Sequence, residues 1–116
     1  MKTTVVTATL LLAACLSAQS KRLVWSDEFD VPGLPDSTKW SYEEGFVRNK
    51  EAQFYTKSRP ENARVEDGCL VIESRMEPYG EANYTSASVH TYGKASWTYG
   101  RIEVRAQLPT GRGMCT

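Results

Sequence analysis

Residues 62–74 read NARVEDGCLVIES, two β-rich runs on either side of the pair Asp67-Gly68. An Asp-Gly pair between such runs is a strong signal for a β-hairpin, because both residue types tolerate the positive φ angles of a tight two-residue turn. Aliphatic side chains occupy both flanks of the pair. The stretch therefore predicts two antiparallel strands that meet at Asp67-Gly68.

Residues 99–109, YGRIEVRAQLP, carry the longest strict alternation of polar and apolar side chains in the sequence. Successive side chains of a strand point to opposite faces, so the alternation predicts a strand with Arg101, Glu103 and Arg105 on its polar face. Residues 84–92 alternate in the same way, and a glycine-bearing turn separates them from residues 99–109. We expect the two strands to pair as a hairpin.

The rest of the sequence also favours short strands. Residues 23–25, LVW, predict a strand start, and residues 31–36 and 78–81 predict loops because they carry strand-breaking Pro and Gly. A helical period is not found after residue 20. Many short strands at close spacing predict an all-β fold, a sandwich or a barrel.

Length, charge and aromatic content narrow the function. A chain of 116 residues supports one small domain, and its 14 basic and 14 acidic residues balance. Nothing in that charge directs the chain to nucleic acid or to an anionic membrane surface. Three tryptophans and six tyrosines exceed what a small core needs, and aromatic rings also stack on sugars.

Residues 1–20 have the pattern of a secretory signal peptide: an early lysine, an apolar run and then small residues. The run is too short to span a bilayer. Two processing routes remain open, a cut near Ala18 or Ser20 and lipid attachment at Cys15, where LAAC resembles a bacterial lipobox. We expect a bacterial protein that is secreted, periplasmic or lipid-anchored at the outer surface, without a membrane span.

Residues 48–56, RNKEAQFYT, contain a candidate ligand-binding row. In an extended conformation Asn49, Glu51, Gln53 and Tyr55 share a face. Amide, carboxylate and phenol groups supply both donors and acceptors for sugar hydroxyls. A solvated edge strand is the alternative interpretation.

The cysteines and the single histidine do not indicate a metal centre. Cys15, Cys69 and Cys115 lack zinc-finger spacing, so we do not expect a zinc site. Cys69 and Cys115 could form a disulfide or remain free thiols, and the sequence leaves this open. His90 is either a ligand contact from the polar strand face or an ordinary surface residue.

Four motifs in a fixed order are found along the chain: WSDEFD at 25–30, NKEAQFYT at 49–56, YTSAS at 84–88 and YGRIEVRA at 99–106. Together they resemble glycoside hydrolase family 16, the laminarinase and β-glucanase group, over residues 23–114. The resemblance implies an antiparallel β-sandwich of the concanavalin-like jelly-roll type, with the sugar chain across a concave sheet. It also implies that residues 21–116 are the N-terminal part of the family's catalytic domain.

The resemblance assigns site residues. It implies a sugar-binding role for Asn49, Glu51, Gln53, Ser88 and His90, with Arg101 supporting the cleft. It further implies a structural calcium ion held by main-chain oxygens near Glu28 and Gly68, and no other cofactor.

The family's catalytic motif, Glu-x-Asp-x-x-Glu, is not found in this sequence. In the family the first glutamate is the nucleophile, the aspartate assists it and the second glutamate is the acid/base of a retaining reaction. We therefore assign no catalytic residue, and we expect an incomplete sandwich that is inactive alone. The interpretation is an endo-β-glucanase acting on β-glucan and truncated before its catalytic motif. The alternative is a non-catalytic glycan-binding protein of the cell envelope, and the sequence does not identify the polysaccharide.

Overall fold

The computed structural model describes residues 21–111, which are all-β as expected. Within that range no helix is long and apolar enough to cross a membrane. The signal peptide and lipidation predictions at residues 1–20, and Cys115, lie outside the described residues. The described strands are β1 Ser41–Glu43, β2 Gln53–Tyr55, β3 Ala63–Glu66, β4 Cys69–Ile72, β5 Arg75–Tyr79, β6 Ala82–Ser86 and β7 Ser88–His90.

The predicted Asp-Gly hairpin is confirmed. Strands β3 and β4 pair antiparallel from Ala63 opposite Ile72 to Glu66 opposite Cys69. Asp67 and Gly68 both have positive φ angles, 51° and 72°, as a type I′ turn requires. This hairpin is specified locally, because its turn residues and its flanking strands are consecutive in sequence.

The strands β2, β6 and β5 form a three-stranded sheet in that order, and β1 pairs with β7. Strand β6 lies antiparallel to β5 but parallel to β2, an arrangement that the long connection between β2 and β6 permits. An antiparallel bridge between Gly45 and Tyr55 joins the end of β1 to β2. The β1–β7 pair thereby continues the three-stranded sheet.

The predicted strand at residues 99–109 is wrong. The segment pairs with no described strand, and Ile102 and Val104 are 78% and 79% exposed. Alternation sets which side chains share a face, but a strand also needs a neighbour for its backbone N–H and C=O groups. The hairpin predicted between residues 84–92 and 99–109 is absent for the same reason, since β6 and β7 pair with β2, β5 and β1 instead.

Two smaller predictions also differ. Residues 23–25 form no strand; Trp25 instead packs edge-on against Trp40 and Trp97, with ring centroids 5.6 and 5.4 Å apart. Strand β5 replaces part of the predicted loop at 78–81. Strand β5 lies at a sheet edge, where Pro78, which has no backbone N–H group to donate, is tolerated because one side of the strand has no neighbour. The register of β5 against β6 shifts between Met76 and Tyr79.

The buried interior is small, and polar side chains make up nearly half of it. Its buried hydrophobic residues are Tyr55, Ala63, Val65, Ala82 and Ala87. The largest fully buried side chains are Asn62, Thr56 and Thr85, all capable of hydrogen bonding. Hydrogen bonds must therefore hold much of the sheet against the β3–β4 hairpin.

Candidate functional site

One side of the sheet, which we call the polar face, collects most of the predicted ligand-binding residues. Pairing sets its membership, because residues opposite one another on neighbouring strands point to the same side. Gln53 pairs with Tyr84, Tyr55 with Ser86, and Glu43 with Ser88. Including the loop between β1 and β2, the polar face comprises Glu43, Arg48, Glu51, Gln53, Tyr55, Met76, Tyr84, Ser86, Ser88 and His90.

Glu51, Gln53 and Tyr55 form a closed hydrogen-bonded group at the centre of the polar face. Glu51 Oε2 accepts from Gln53 Nε2 at 2.8 Å and from Tyr55 Oη at 2.9 Å. Gln53 Nε2 also lies 3.0 Å from Tyr55 Oη. Tyr55 is buried, while Glu51 and Gln53 are half-buried. The group is thus pre-oriented, and Glu51 Oε1 has no protein partner among residues 21–111.

A second group extends the polar face toward β1 and β7. The Arg48 guanidinium lies over the Tyr55 ring, 5.6 Å from its centroid, and forms an ion pair with Glu43. The Ser88 hydroxyl donates to the same Glu43 oxygen that Arg48 contacts. Arg48 therefore connects the β1–β7 pair to the Glu51 group through one charged and one aromatic contact.

The predicted site residues separate into two sets. Glu51 and Gln53 are in direct contact, and Ser88 joins them through Glu43 and Arg48. His90 lies two residues after Ser88 on the same strand, half-buried, with its Nδ1 accepting from the Tyr92 N–H at 3.1 Å.

Asn49 and Arg101 are not brought into these contacts. Asn49 is exposed in the turn before β2, where it and Lys50 have φ angles of 57° and 53°, so the extended row begins only after them. Arg101 lies in the unpaired segment and forms an ion pair with Glu103.

Sequence reasoning missed Glu43, Arg48 and Tyr84 as members of the polar face. Tyr84 could have been found, since it falls on the same side as Ser88 in the alternation of residues 84–92. The contacts of Glu43 and Arg48 carried no local signal, because they depend on how β1, β7 and β2 are arranged.

A buried network, which we call the Asn62 hub, holds the opposite side of the sheet. Asn62 Nδ2 donates to the Glu73 carbonyl and to Thr85 Oγ1, each at 3.0 Å. Its Oδ1 accepts from Thr56 Oγ1 at 2.8 Å and from Arg59 Nη1 at 2.7 Å. The hub thereby ties β2, β6 and the β3–β4 hairpin together.

Glu77 is the last member of the Asn62 hub, and its contacts lower its pKa. Arg59 Nη1 contacts Glu77 Oε1 at 2.6 Å, and the Thr85 hydroxyl donates to the same oxygen. The hydrogen bond from Arg59, followed by that from Thr85, lowers the pKa of Glu77 from 4.5 to about 2. Charge-assisted hydrogen bonds favour the ionised form, so Glu77 remains a carboxylate in all but strong acid.

The predicted calcium site has no side-chain cage. Glu28 and Gly68 are both exposed, in a loop and in the β3–β4 turn. No group of three or more His, Cys, Asp or Glu side chains is placed to hold a metal ion among the residues that the structure describes. Main-chain oxygens alone would have to provide the ligands, and the calcium ion stays a prediction. Cys69, at the start of β4, is an exposed thiol.

Comparison with known proteins identifies the family. No family model matches the chain. The chain is 61% identical over 93 residues to a β-glucanase of Rhodothermus marinus, a match that covers 78% of this chain and 32% of the relative. The crystal structure of the Rhodothermus marinus laminarinase superposes with a TM-score of 0.75 at 60% identity, covering 78% of this chain and 37% of that chain.

A second solved structure extends the comparison. It is a non-specific endo-β-1,3(4)-glucanase of family GH16, a mutant co-crystallised with 1,3-β-D-cellotriosyl-glucose. It superposes with a TM-score of 0.65 at 46% identity and covers 68% of this chain and 34% of that chain. The chain thus spans about a third of the length of the relatives that it matches. It has part of their jelly-roll β-sandwich, and it belongs to glycoside hydrolase family 16.

Proposed function

We propose that this chain is the glycan-binding part of an endo-β-glucanase that hydrolyses β-glucan with retention of configuration. The observation that carries the proposal is the pre-oriented group of Glu51, Gln53 and Tyr55 on one sheet face. Its support from the comparisons is the close similarity to a laminarinase.

The polar face suits a neutral, hydroxyl-rich ligand. Glu51 Oε1 is available to accept from a sugar hydroxyl, and Gln53 adds a carbonyl acceptor beside it. Since Glu51 already accepts two protein hydrogen bonds, its carboxylate need not reorganise when a sugar binds. The ion pair of Arg48 with Glu43 neutralises the guanidinium of the polar face, so an anionic sugar gains little from it.

Bond cleavage needs groups that this sequence does not contain. A retaining glycosidase places two carboxyl groups about 5–5.5 Å apart on either side of the scissile bond. The sequence has no Glu-x-Asp-x-x-Glu motif, and Glu51 and Glu77 are both held in protein hydrogen bonds. We therefore expect the chain to bind β-glucan without cleaving it.

The test is a laminarin titration of the full chain by calorimetry, with reducing-sugar release measured on the same samples. We expect saturable binding, no hydrolysis, and a loss of affinity of about ten- to hundredfold in Glu51→Gln, because a hydrogen bond to a charged group contributes about 1.5–3 kcal/mol. Glu81→Gln, at the exposed β5–β6 turn, is the matched control. Equal affinity of Glu51→Gln and wild type, or no binding by wild type, would overturn the proposal.

The missing catalytic motif also favours a second candidate, a glycan-binding protein that never hydrolyses its ligand. Both candidates bind laminarin, so affinity does not separate them. The coding sequence beyond Thr116 does: a Glu-x-Asp-x-x-Glu motif within a few tens of codons supports the enzyme, and its absence supports the binder.

We also propose that residues 1–20 direct export. The mass of the mature protein distinguishes a cut near Ala18 or Ser20 from a diacylated Cys15. An unprocessed N-terminus in a bacterial host would argue against both routes.

A further inference from the structure

Tyr84 stands beside the Glu51 group on the polar face. It lies on β6 directly opposite Gln53 of β2, so both side chains point to the same side of the sheet, on strands about 4.8 Å apart. Its side chain is 43% exposed. A large aromatic ring is thus presented to solvent next to a pre-oriented hydrogen-bonding group.

The next strand continues the row. Met76 of β5 lies opposite Tyr84 and is 82% exposed. Gln53, Tyr84 and Met76 therefore follow one another across three neighbouring strands, spaced by about 4.8 Å each. That spacing is close to the width of a sugar ring, so a glycan that crosses the strands meets a polar group first and an apolar surface next.

Tyr84 has no evident role in holding the fold together. Tyr79 packs its ring against Phe54 with centroids 5.3 Å apart, and Tyr55 is buried in the Glu51 group. Tyr84 makes neither an aromatic pair nor a side-chain hydrogen bond among residues 21–111. Its exposure is therefore unexplained by packing.

We propose that Tyr84 is a stacking platform for one sugar ring beyond the ring held by Glu51 and Gln53. The proposal rests on the function proposed above and adds a sugar position to it. A β-linked pyranose has an apolar C–H face and a hydroxyl edge. The Tyr84 ring packs against the former, while hydroxyls of the neighbouring sugar meet Gln53 and Glu51. Met76 flanks the stacked ring with a flexible apolar side chain.

The experiment compares affinities for glucose and laminaripentaose in the full chain. We expect wild type to bind the pentaose more tightly. Tyr84→Ala should lose about three- to tenfold in pentaose affinity while its affinity for glucose, a single ring held by Glu51 and Gln53, stays near that of wild type. Tyr84→Phe keeps the ring and should bind both sugars as wild type does. Tyr99→Ala removes a 92% exposed tyrosine outside the polar face and is the matched control.

The outcomes separate this inference from the proposed function. If wild type binds and Glu51→Gln weakens binding, but Tyr84→Ala binds laminaripentaose as wild type does, the platform is overturned and the function stands. Equal losses in Tyr84→Ala and Tyr84→Phe would show that the hydroxyl acts rather than the ring, which also overturns the platform. Absence of wild-type binding overturns the function itself.

A measurement on wild type avoids dependence on the folding of any variant. Ring protons of Tyr84 should shift upon addition of laminaripentaose and should shift far less with glucose. Unchanged Tyr84 resonances at saturating pentaose contradict the platform.

Discussion

Thr56 Oγ1 donates a hydrogen bond to Asn62 Oδ1 across 2.8 Å, and both side chains are inaccessible to solvent, 2% and 0% exposed. Thr56 directly follows Tyr55, whose hydroxyl contacts Glu51 on the other side of the sheet. The Asn62 hub thus anchors the strand that presents the polar face. Two consecutive residues thus serve the two sides of the sheet: Tyr55 belongs to the polar face, and Thr56 belongs to the buried Asn62 hub.

Replacing Asn62 should destabilise the protein clearly more than replacing an exposed strand residue. In Asn62→Ala, Thr56, Thr85 and the Glu73 carbonyl lose a buried partner, so we expect about 1–3 kcal/mol less unfolding free energy. Urea denaturation measures it. Asn83→Ala, at an exposed position of β6, is the control and should change little. Equal midpoints for the two variants would show that the hub contributes no stability.

Low pH should reduce the free energy of unfolding through protonation of Glu77. The pKa of Glu77 is lowered on folding, from 4.5 to about 2, so its stabilising contribution is complete above about pH 4.5 and is lost as pH falls toward 2. Hydrogen bonding to Arg64 also lowers the pKa of Glu73, which adds to the same trend. Glu77→Gln should therefore flatten the dependence of stability on pH between pH 4.5 and 2. Denaturation at several pH values, with Glu81→Gln as control, measures this; an unchanged slope in Glu77→Gln refutes it.

The β3–β4 turn should be sensitive to its glycine. Gly68 has a φ of 72°, and a Cβ placed there meets no atom within 4 Å, so the cost of Gly68→Ala is backbone strain alone, about 1–2 kcal/mol. Thermal denaturation measures it. Asp67→Asn should be nearly neutral, because asparagine also suits a positive φ. A stable Gly68→Ala variant would mean that the turn changes type.

Tyr55→Phe should weaken sugar binding while leaving the fold nearly unchanged. The lost hydroxyl contacts both Glu51 and Gln53, so their orientation loosens although the ring still packs. We expect about fivefold weaker laminarin binding, as for one hydrogen bond of about 1 kcal/mol. Calorimetry measures the affinity and urea denaturation the stability. Tyr99→Phe is the control; a Tyr55→Phe protein that binds like it would show that the hydroxyl has no role.

Contacts in the candidate site could be predicted from the sequence only where the two residues lie close together along the chain. Glu51 and Gln53 are two residues apart on a short extended segment, so their shared face was readable from alternation. The participation of Arg48 and Glu43 was not readable, because their contacts join different strands. Asn49 was expected in the same row, but consecutive positive φ angles at Asn49 and Lys50 turn the chain before β2 begins.

The sequence by itself determined the all-β class, the Asp67-Gly68 hairpin and the resemblance to glycoside hydrolase family 16. Each depends on residues close together in the chain, where turn chemistry and alternation act directly. Only the tertiary structure decided which strands pair: β5 forms despite Pro78, and residues 99–109 stay unpaired despite the best alternation in the chain. The physical reason is that side-chain alternation selects faces, whereas a strand exists only where another strand satisfies its backbone hydrogen bonds.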